Sequence, residues 1–191
     1  MSLNQPHSKK VSYQEYLSWP EEPRYEIING IPFLHAAPVR QHQQILTRLL
    51  VALHAIFKER NCEVYPAPFD VRLSAAAKDE EEFQVVQPDI SVICDNKKLD
   101  ERGCKGAPEL IVEVLSPSTW KRDRIEKLNL YQKYGVNEYV LIYPNEKIVE
   151  QYQLNENGQY ELPVIFNEND YFTSAIFPES VKISLDTIFQ R

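Results

Sequence analysis

Leu110-Ile111-Val112-Glu113-Val114-Leu115 is an apolar run interrupted by one carboxylate. A short run without polar alternation marks a strand buried on both faces. Ser116-Pro117-Ser118 ends it, and a helix is expected from about Lys121 to Tyr134, closed by Gly135 just past its last turn. Glu138 to Tyr143 reads as the next strand, stopped by Pro144. Strand, helix and strand in that order form a crossover, which implies parallel pairing and right-handedness.

Working outward, apolar residues at 45, 46, 49, 50, 53, 56 and 57 follow i, i+3/i+4 spacing and predict an amphipathic helix from about Gln41 to Arg60. Two strands are expected around Glu63–Leu73 and Val85–Cys94, joined by an exposed hairpin loop at Ala75 to Glu82. Ser12 with Glu15 three residues on is a capping box for a short helix running towards Leu17. Asn29-Gly30, between Arg24–Ile28 and Ile31–Leu34, is a strong hairpin signal. Beyond Pro144 a hairpin at Asn157-Gly158, one or two further strands and a short helix near Leu185–Phe189 complete the chain. The expected fold is α/β, a mixed sheet with flanking helices in the central order helix, strand, strand, strand, helix, strand. We expect one domain over residues 1–191: a core at 41–144, an N-terminal helix and hairpin at 1–40, and a C-terminal β extension with a short helix at 145–191.

Composition bounds the function classes. At 191 residues, 43% hydrophobic and 26% charged, the chain reads as one ordinary globular unit. Residues 1–10 form a polar start without the apolar core of a signal peptide, and no run approaches the roughly 20 apolar residues of a membrane helix. Cys62, Cys94 and Cys104 are odd in number and lack CxxC spacing, which argues against a disulfide framework or a zinc site. A cytoplasmic location is expected from that cysteine usage. The net charge of −7, from 28 acidic and 21 basic residues, counts against avid non-specific nucleic-acid binding.

Glu113 is the most informative residue. A carboxylate inside an apolar strand is costly unless it is paired or metal-bound. Alternation puts Glu109, Ile111, Glu113 and Leu115 on one face. Asp89, in Gln87-Pro88-Asp89-Ile90-Ser91-Val92, opens or sits within a second strand, where aspartate has low propensity. It is either a turn cap or, with Glu113 on a neighbouring strand, half of an oxygen-ligand site of the kind Mg²⁺ prefers. On a wheel of about 100° per residue, Lys127 shares an arc with Leu128, Leu130, Tyr131 and Tyr134. It either snorkels to the helix edge or reaches into a site beneath, with Asp123 one turn away to orient it. His42 at the first core helix reads as a cap or edge residue, and Glu26 on the first hairpin as a weaker candidate. Trp120 with Lys121, Arg122 and Arg124 could grip nucleic acid by stacking and charge, or form a solvated helix start. GxSxG, HExxH and a phosphate-cradling glycine loop are all lacking.

Pro88-Asp89, then Glu113 in a buried strand, then a lysine, resembles the PD-(D/E)XK nuclease superfamily. More closely, the run from Pro108 to Thr119, followed by Asp123, Lys127, Tyr131, Gly135-Val136 and Glu138-Tyr139, looks like the Uma-type restriction-endonuclease-like family. Tyr25-Glu26, Asn29-Gly30 and His42 match its N-terminal pattern, and the likeness covers roughly residues 12 to 190. The resemblance implies a restriction-endonuclease-like core and Mg²⁺- or Mn²⁺-dependent hydrolysis of phosphodiesters in DNA. Asp89 and Glu113 would hold the metal, Lys127 would serve the attacking water, and Glu26, His42 and Asp123 would support them. A Glu-x-Lys motif would need lysine at position 115, where Leu115 stands; the family places its lysine on the following helix. A homodimer is expected if both strands of a duplex are cut. The alternatives are a nuclease-fold protein without catalysis that binds nucleic acid or a partner, and, last, a glycosidase using the two carboxylates.

Overall fold

The computed structural model describes residues 10–35 and 38–190, so the polar start expected at 1–10 lies, Lys10 apart, outside the described residues. Ser12 Oγ accepts from the Glu15 backbone N–H at 3.3 Å and opens helix α1 (Tyr13–Tyr16). Strands β1 (Tyr25–Ile28) and β2 (Ile31–Leu34) pair antiparallel across Asn29 and Gly30, whose φ values of 54° and 78° are the two positive angles a type I′ turn requires. Helix α2 (Arg40–Phe57) buries Ile45, Leu46, Leu49, Leu53 and Phe57 on the stripe that the spacing predicts.

The two strands expected at 63–73 and 85–94 each break in the middle. The first becomes β3 (Glu63–Pro66) and β4 (Val71–Arg72); the second becomes β5 (Val85–Val86) and β6 (Ile90–Ile93). Pro66, Pro68 and Pro88 carry no N–H for a ladder, so pairing lapses at these residues. β3 pairs with β6, Pro66 opposite Ile90, whereas β4 pairs with β5, Val71 opposite Val86. One long hairpin therefore bends at its prolines and gives its halves to two sheets. The expected exposed loop also needs correcting at its end. Glu82 is buried, accepting from Ser74 Oγ at 2.6 Å and from the Gln84 N–H at 2.9 Å.

The remaining strands are β7 (Leu99–Asp100), β8 (Gly103–Lys105), β9 (Leu110–Val114), β10 (Glu138–Tyr143), β11 (Ile148–Gln153), β12 (Val164–Asn167), β13 (Tyr171–Thr173) and β14 (Lys182–Ser184). Among the described residues, the main sheet has the order β12-β11-β10-β9-β6-β3 and the second sheet β2-β1-β5-β4-β8-β7, with β13 and β14 as a separate pair. β9 lies inside the main sheet, antiparallel to β6 and parallel to β10, as the crossover requires. The crossover helix starts with a π-helical segment, Arg122–Lys127, before α3 (Leu128–Tyr134); Gly135 (φ 82°) closes it. Helix α4 (Leu185–Phe189) ends the described chain.

The main sheet is covered on both faces. Leu110, Val112 and Val114 of β9 pack with α2 and α4, while Ile111 and Leu115 pack with α3 and the second sheet. No described helix is long and apolar enough to cross a membrane.

The cysteine expectation is overturned: Cys62 and Cys94 form a disulfide, with Cα atoms 3.9 Å apart. The β3–β6 register, Glu63 opposite Ile93, sets these two cysteines side by side at the sheet edge. Sequence spacing carries no trace of that register. Cys104 is free and buried, and burial pushes its thiol up to about 12.

Gly103 sits at φ 126°, and a Cβ there would lie 2.1 Å from the Asp70 carbonyl oxygen. Gly158, at φ 72°, has open space around it. Gly103→Ala therefore costs at least about 2 kcal/mol, or roughly 4–8 °C in melting temperature, whereas Gly158→Ala costs only about 1 kcal/mol. Thermal denaturation of both variants checks the difference; equal losses would contradict it.

Candidate active site

Alternation along β9 turns Glu113 away from α2 and towards the crossover helix. It is only 5% exposed. Its Oε1 accepts from Lys127 Nζ at 2.7 Å and from the Tyr131 hydroxyl at 3.1 Å. Lys127 also lies 2.8 Å from Glu26 Oε1 and 3.6 Å from Asp123 Oδ1. A π-helical segment holds both Asp123 and Lys127 inward while Ile125, between them, is exposed. Such segments occur frequently at functional sites. The arc position of Lys127 is thus resolved: the ammonium reaches down to the sheet and does not snorkel.

Asp89 directly precedes β6, at the bend after Pro88. Its Oδ2 accepts from the Val114 N–H at 2.8 Å and lies 3.0 Å from His42 Nε2. Its own N–H makes a long 3.4 Å contact to Glu113 Oε2. Glu26 was the weakest candidate by sequence, yet it is 1% exposed and accepts from the Gln87 N–H at 3.0 Å. The register Ile27–Val85 brings the hairpin against β5 and so carries Glu26 to the bend.

Glu26, His42, Asp89, Glu113, Asp123 and Lys127 all line one cavity of about 460 Å³. The basic cluster divides. Among the described residues of that cluster, only Arg122 lines the cavity; its guanidinium lies 4.5 Å over the Phe33 ring and 4.0 Å from Glu26 Oε2. Arg124 pairs with Glu150 at 3.3 Å, Lys121 is exposed and Trp120 is half-exposed. Tyr131 and the Tyr139 hydroxyl, which donates to the Asp123 carbonyl at 3.0 Å, are partners that no spacing rule flags. Tyr131 shares the helix arc that carries Lys127, Tyr139 lies on β10, and both stand in the stretch that carries the family resemblance.

The electrostatics follow from burial. Burial works against the Lys127 ammonium, but Glu113, Glu26 and Asp123 together outweigh it and hold the lysine well above its usual range. Burial would raise Glu26 too, yet Lys127 and His35 bring it down to about 2. Glu113 goes the other way: burial, with Asp123, Asp89 and Glu26 nearby, outweighs Lys127 and holds it well above the carboxylate range. Burial lowers His42, but its hydrogen bond to Asp89 and that carboxylate's charge leave it raised.

Asp89 Oδ1 takes no hydrogen bond among the described residues, and Glu113 Oε2 has only the long contact to the Asp89 N–H. Two hard oxygens from adjacent strands therefore remain available at the cavity wall. No cage of three or more His, Cys, Asp or Glu side chains exists among the described residues. Mg²⁺ asks less than that, since one or two carboxylates with water and substrate phosphate suffice. The donor set fits such an ion.

A proline-bent hairpin feeding two sheets around a carboxylate–lysine cluster belongs to the restriction-endonuclease-like class of α/β folds. The chain is a member of the Uma2 family, whose model, described as "Putative restriction endonuclease", matches residues 13–186. It is 27% identical over 154 residues to "Uncharacterized protein slr1290" of Synechocystis sp., covering 79% of this chain and 78% of that protein. Its fold is similar to that of a crystal structure from Anabaena variabilis described as "a putative nuclease belonging to DUF820". The TM-score is 0.74 at 22% identity, over 94% of this chain and 97% of that one.

Removing the ammonium leaves buried carboxylates without a counter-charge. Lys127→Met is expected to lose about 3–5 kcal/mol near neutral pH. In the wild type Glu26 stabilises above its ordinary value of 4.5, and this is lost as pH falls towards 2. In the variant the buried carboxylates lie above their unfolded values, so stability is lost as pH rises. The gap between the two proteins therefore closes on acidification. Urea denaturation across pH checks this, and a gap independent of pH would contradict it.

Proposed function

We propose that the protein is a divalent-metal-dependent endonuclease that hydrolyses phosphodiester bonds in DNA. The observation that carries this is the pair of free carboxylate oxygens, Asp89 Oδ1 and Glu113 Oε2, on adjacent strands of one cavity. Membership of a family described as "Putative restriction endonuclease" supports the same reaction class.

In this proposal Asp89 and Glu113 hold Mg²⁺ or Mn²⁺. When bound, such an ion lowers the pKa of coordinated water and offsets charge on the phosphate oxygens. The Val114 N–H and His42 fix the Asp89 carboxylate from one side, leaving its other oxygen turned to the cavity. Lys127 and Tyr131 fix Glu113 in the same way. The ammonium donates to Glu113 and lies at ion-pair distance from Glu26 and Asp123, so we assign Lys127 to orienting Glu113 and offsetting charge, with water activation left to the metal site. Arg122 at the cavity wall is placed to meet a phosphate. The cut of a duplex would take two copies, one per strand.

The alternative is a nuclease-fold module that binds nucleic acid without cleaving it. One observation favours it: among the described residues, the Lys127 ammonium is engaged by three carboxylates and is not free to serve the attacking water. Metal dependence separates the two. Phosphodiester hydrolysis needs up to about 23 kcal/mol of catalysis, so losing a ligand should remove activity almost entirely. Asp89→Ala and Glu113→Ala are expected to stay folded, lose Mg²⁺ and Mn²⁺ binding in calorimetry, and nick plasmid at least 1,000-fold more slowly (on the order of oxyanion-type losses). Nicking retained in either variant removes that residue from the site. Nicking by wild type in chelator would sink the metal proposal.

A further inference from the structure

A second cavity of about 460 Å³ adjoins the first, sharing Pro68 as a common wall. The bend between Gln87 and Asp89 lies between them: Asp89 faces the first cavity, Gln87 lines the second. Two features of this second cavity are left unexplained by the proposed hydrolysis.

Gln87 is 5% exposed, and its Oε1 has no hydrogen-bond partner among the described residues. Such an atom is costly to bury. The amide cannot simply turn over to relieve it. Its Nε2 donates to Asp70 Oδ1 at 2.8 Å, and Asp70 Oδ2 takes the Tyr13 hydroxyl at 3.0 Å. Turning the amide would set its oxygen against that carboxylate. Oε1 is therefore a fixed, unpaired acceptor on a buried residue that lines the cavity.

The other wall is aromatic. Tyr65 and Phe69 stack at 4.3 Å between centroids, 4° from parallel, and both line the cavity. The charged groups present are mostly acceptors. Asp100 is tied to Arg72 at 2.6 Å, and Arg102 is occupied by Asp79 at 2.7 Å. Among the described residues, a phosphate would meet acidic oxygens and no free cation here. A flat group that donates N–H bonds would meet what it needs.

We infer that this cavity is a nucleobase subsite, stacking a base on Tyr65 and Phe69 and reading its exocyclic amine through Gln87 Oε1. The inference rests on the nuclease reading of the adjoining cavity, and it assigns the choice of base to residues outside that site. Adenine and cytosine carry such an amine, and thymine presents a carbonyl oxygen in its place. Gly103 belongs to the same device, because only a residue without Cβ lets the β7–β8 turn close over Asp70.

The test is fluorescence anisotropy with labelled oligo-dA, oligo-dC and oligo-dT of equal length, in chelator so that no strand is cut. Wild type is expected to bind oligo-dA and oligo-dC about 10-fold more tightly than oligo-dT. Gln87→Leu should abolish the preference, and Phe69→Ala should weaken all three by about 10-fold. Should the leucine variant fail to fold, Gln87→Met preserves length and volume and takes its place. Equal binding of the three oligomers by wild type, or a preference that survives in the folded Gln87 variant, would overturn the subsite. The two readings fail separately. Nicking without base preference removes the subsite and leaves the nuclease, while base preference without metal-dependent nicking does the reverse.

Discussion

The Lys127 ammonium, 3% exposed and within 3.6 Å of carboxylates from three segments, is the contact on which the rest of the site depends. It joins Glu26 of the first hairpin, Glu113 of the innermost part of the main sheet and Asp123 of the crossover helix. A buried ion pair is weak evidence for stability, because desolvation offsets most of the attraction. What it does supply is geometry. With one lysine among three carboxylates, the elements that carry them can pack in few ways, and Glu113 is left with one oxygen committed and one free. Burial, together with the excess negative charge, is why Glu113 sits well above the ordinary carboxylate range.

The prolines supply the second constraint. Pro66, Pro68 and Pro88 interrupt a hairpin that would otherwise run through a single sheet, and the chain steps between sheets at the interruption. Asp89 is at that step, which is why it can reach the Val114 N–H of β9 while its neighbour Gln87 faces the opposite way. The same bend thus builds both cavities. Acidic composition is no obstacle to this arrangement, since much of the local negative charge is concentrated where a cation would bind.

Much of the architecture was legible in the sequence where a pattern is local. The apolar run around Glu113, the i, i+3/i+4 stripe of α2, the Asn29-Gly30 turn and the Ser12 cap each rest on a few consecutive residues, and each appears where expected. Glu113 and Lys127 stand out in the sequence because each breaks an apolar pattern, and Asp89 because aspartate has low propensity for a strand. What was hidden depends on register between distant segments. The Cys62–Cys94 disulfide, the burial of Glu26 and the splitting of two strands follow from pairings 24 to 61 residues apart. Strands β7 and β8 were passed over because they are very short, while β11 and β12 were expected only as a hairpin at Asn157-Gly158, and Ile148–Gln153 mixes polar and apolar residues because its polar side chains are buried in hydrogen bonds.

The most direct measurement is anomalous diffraction from crystals soaked in Mn²⁺. One strong peak is expected in the cavity, ligated by Asp89 Oδ1 and Glu113 Oε2, with Lys127 still on Glu113 Oε1. A soaked crystal with no peak there, or with manganese bound away from both carboxylates, would contradict it.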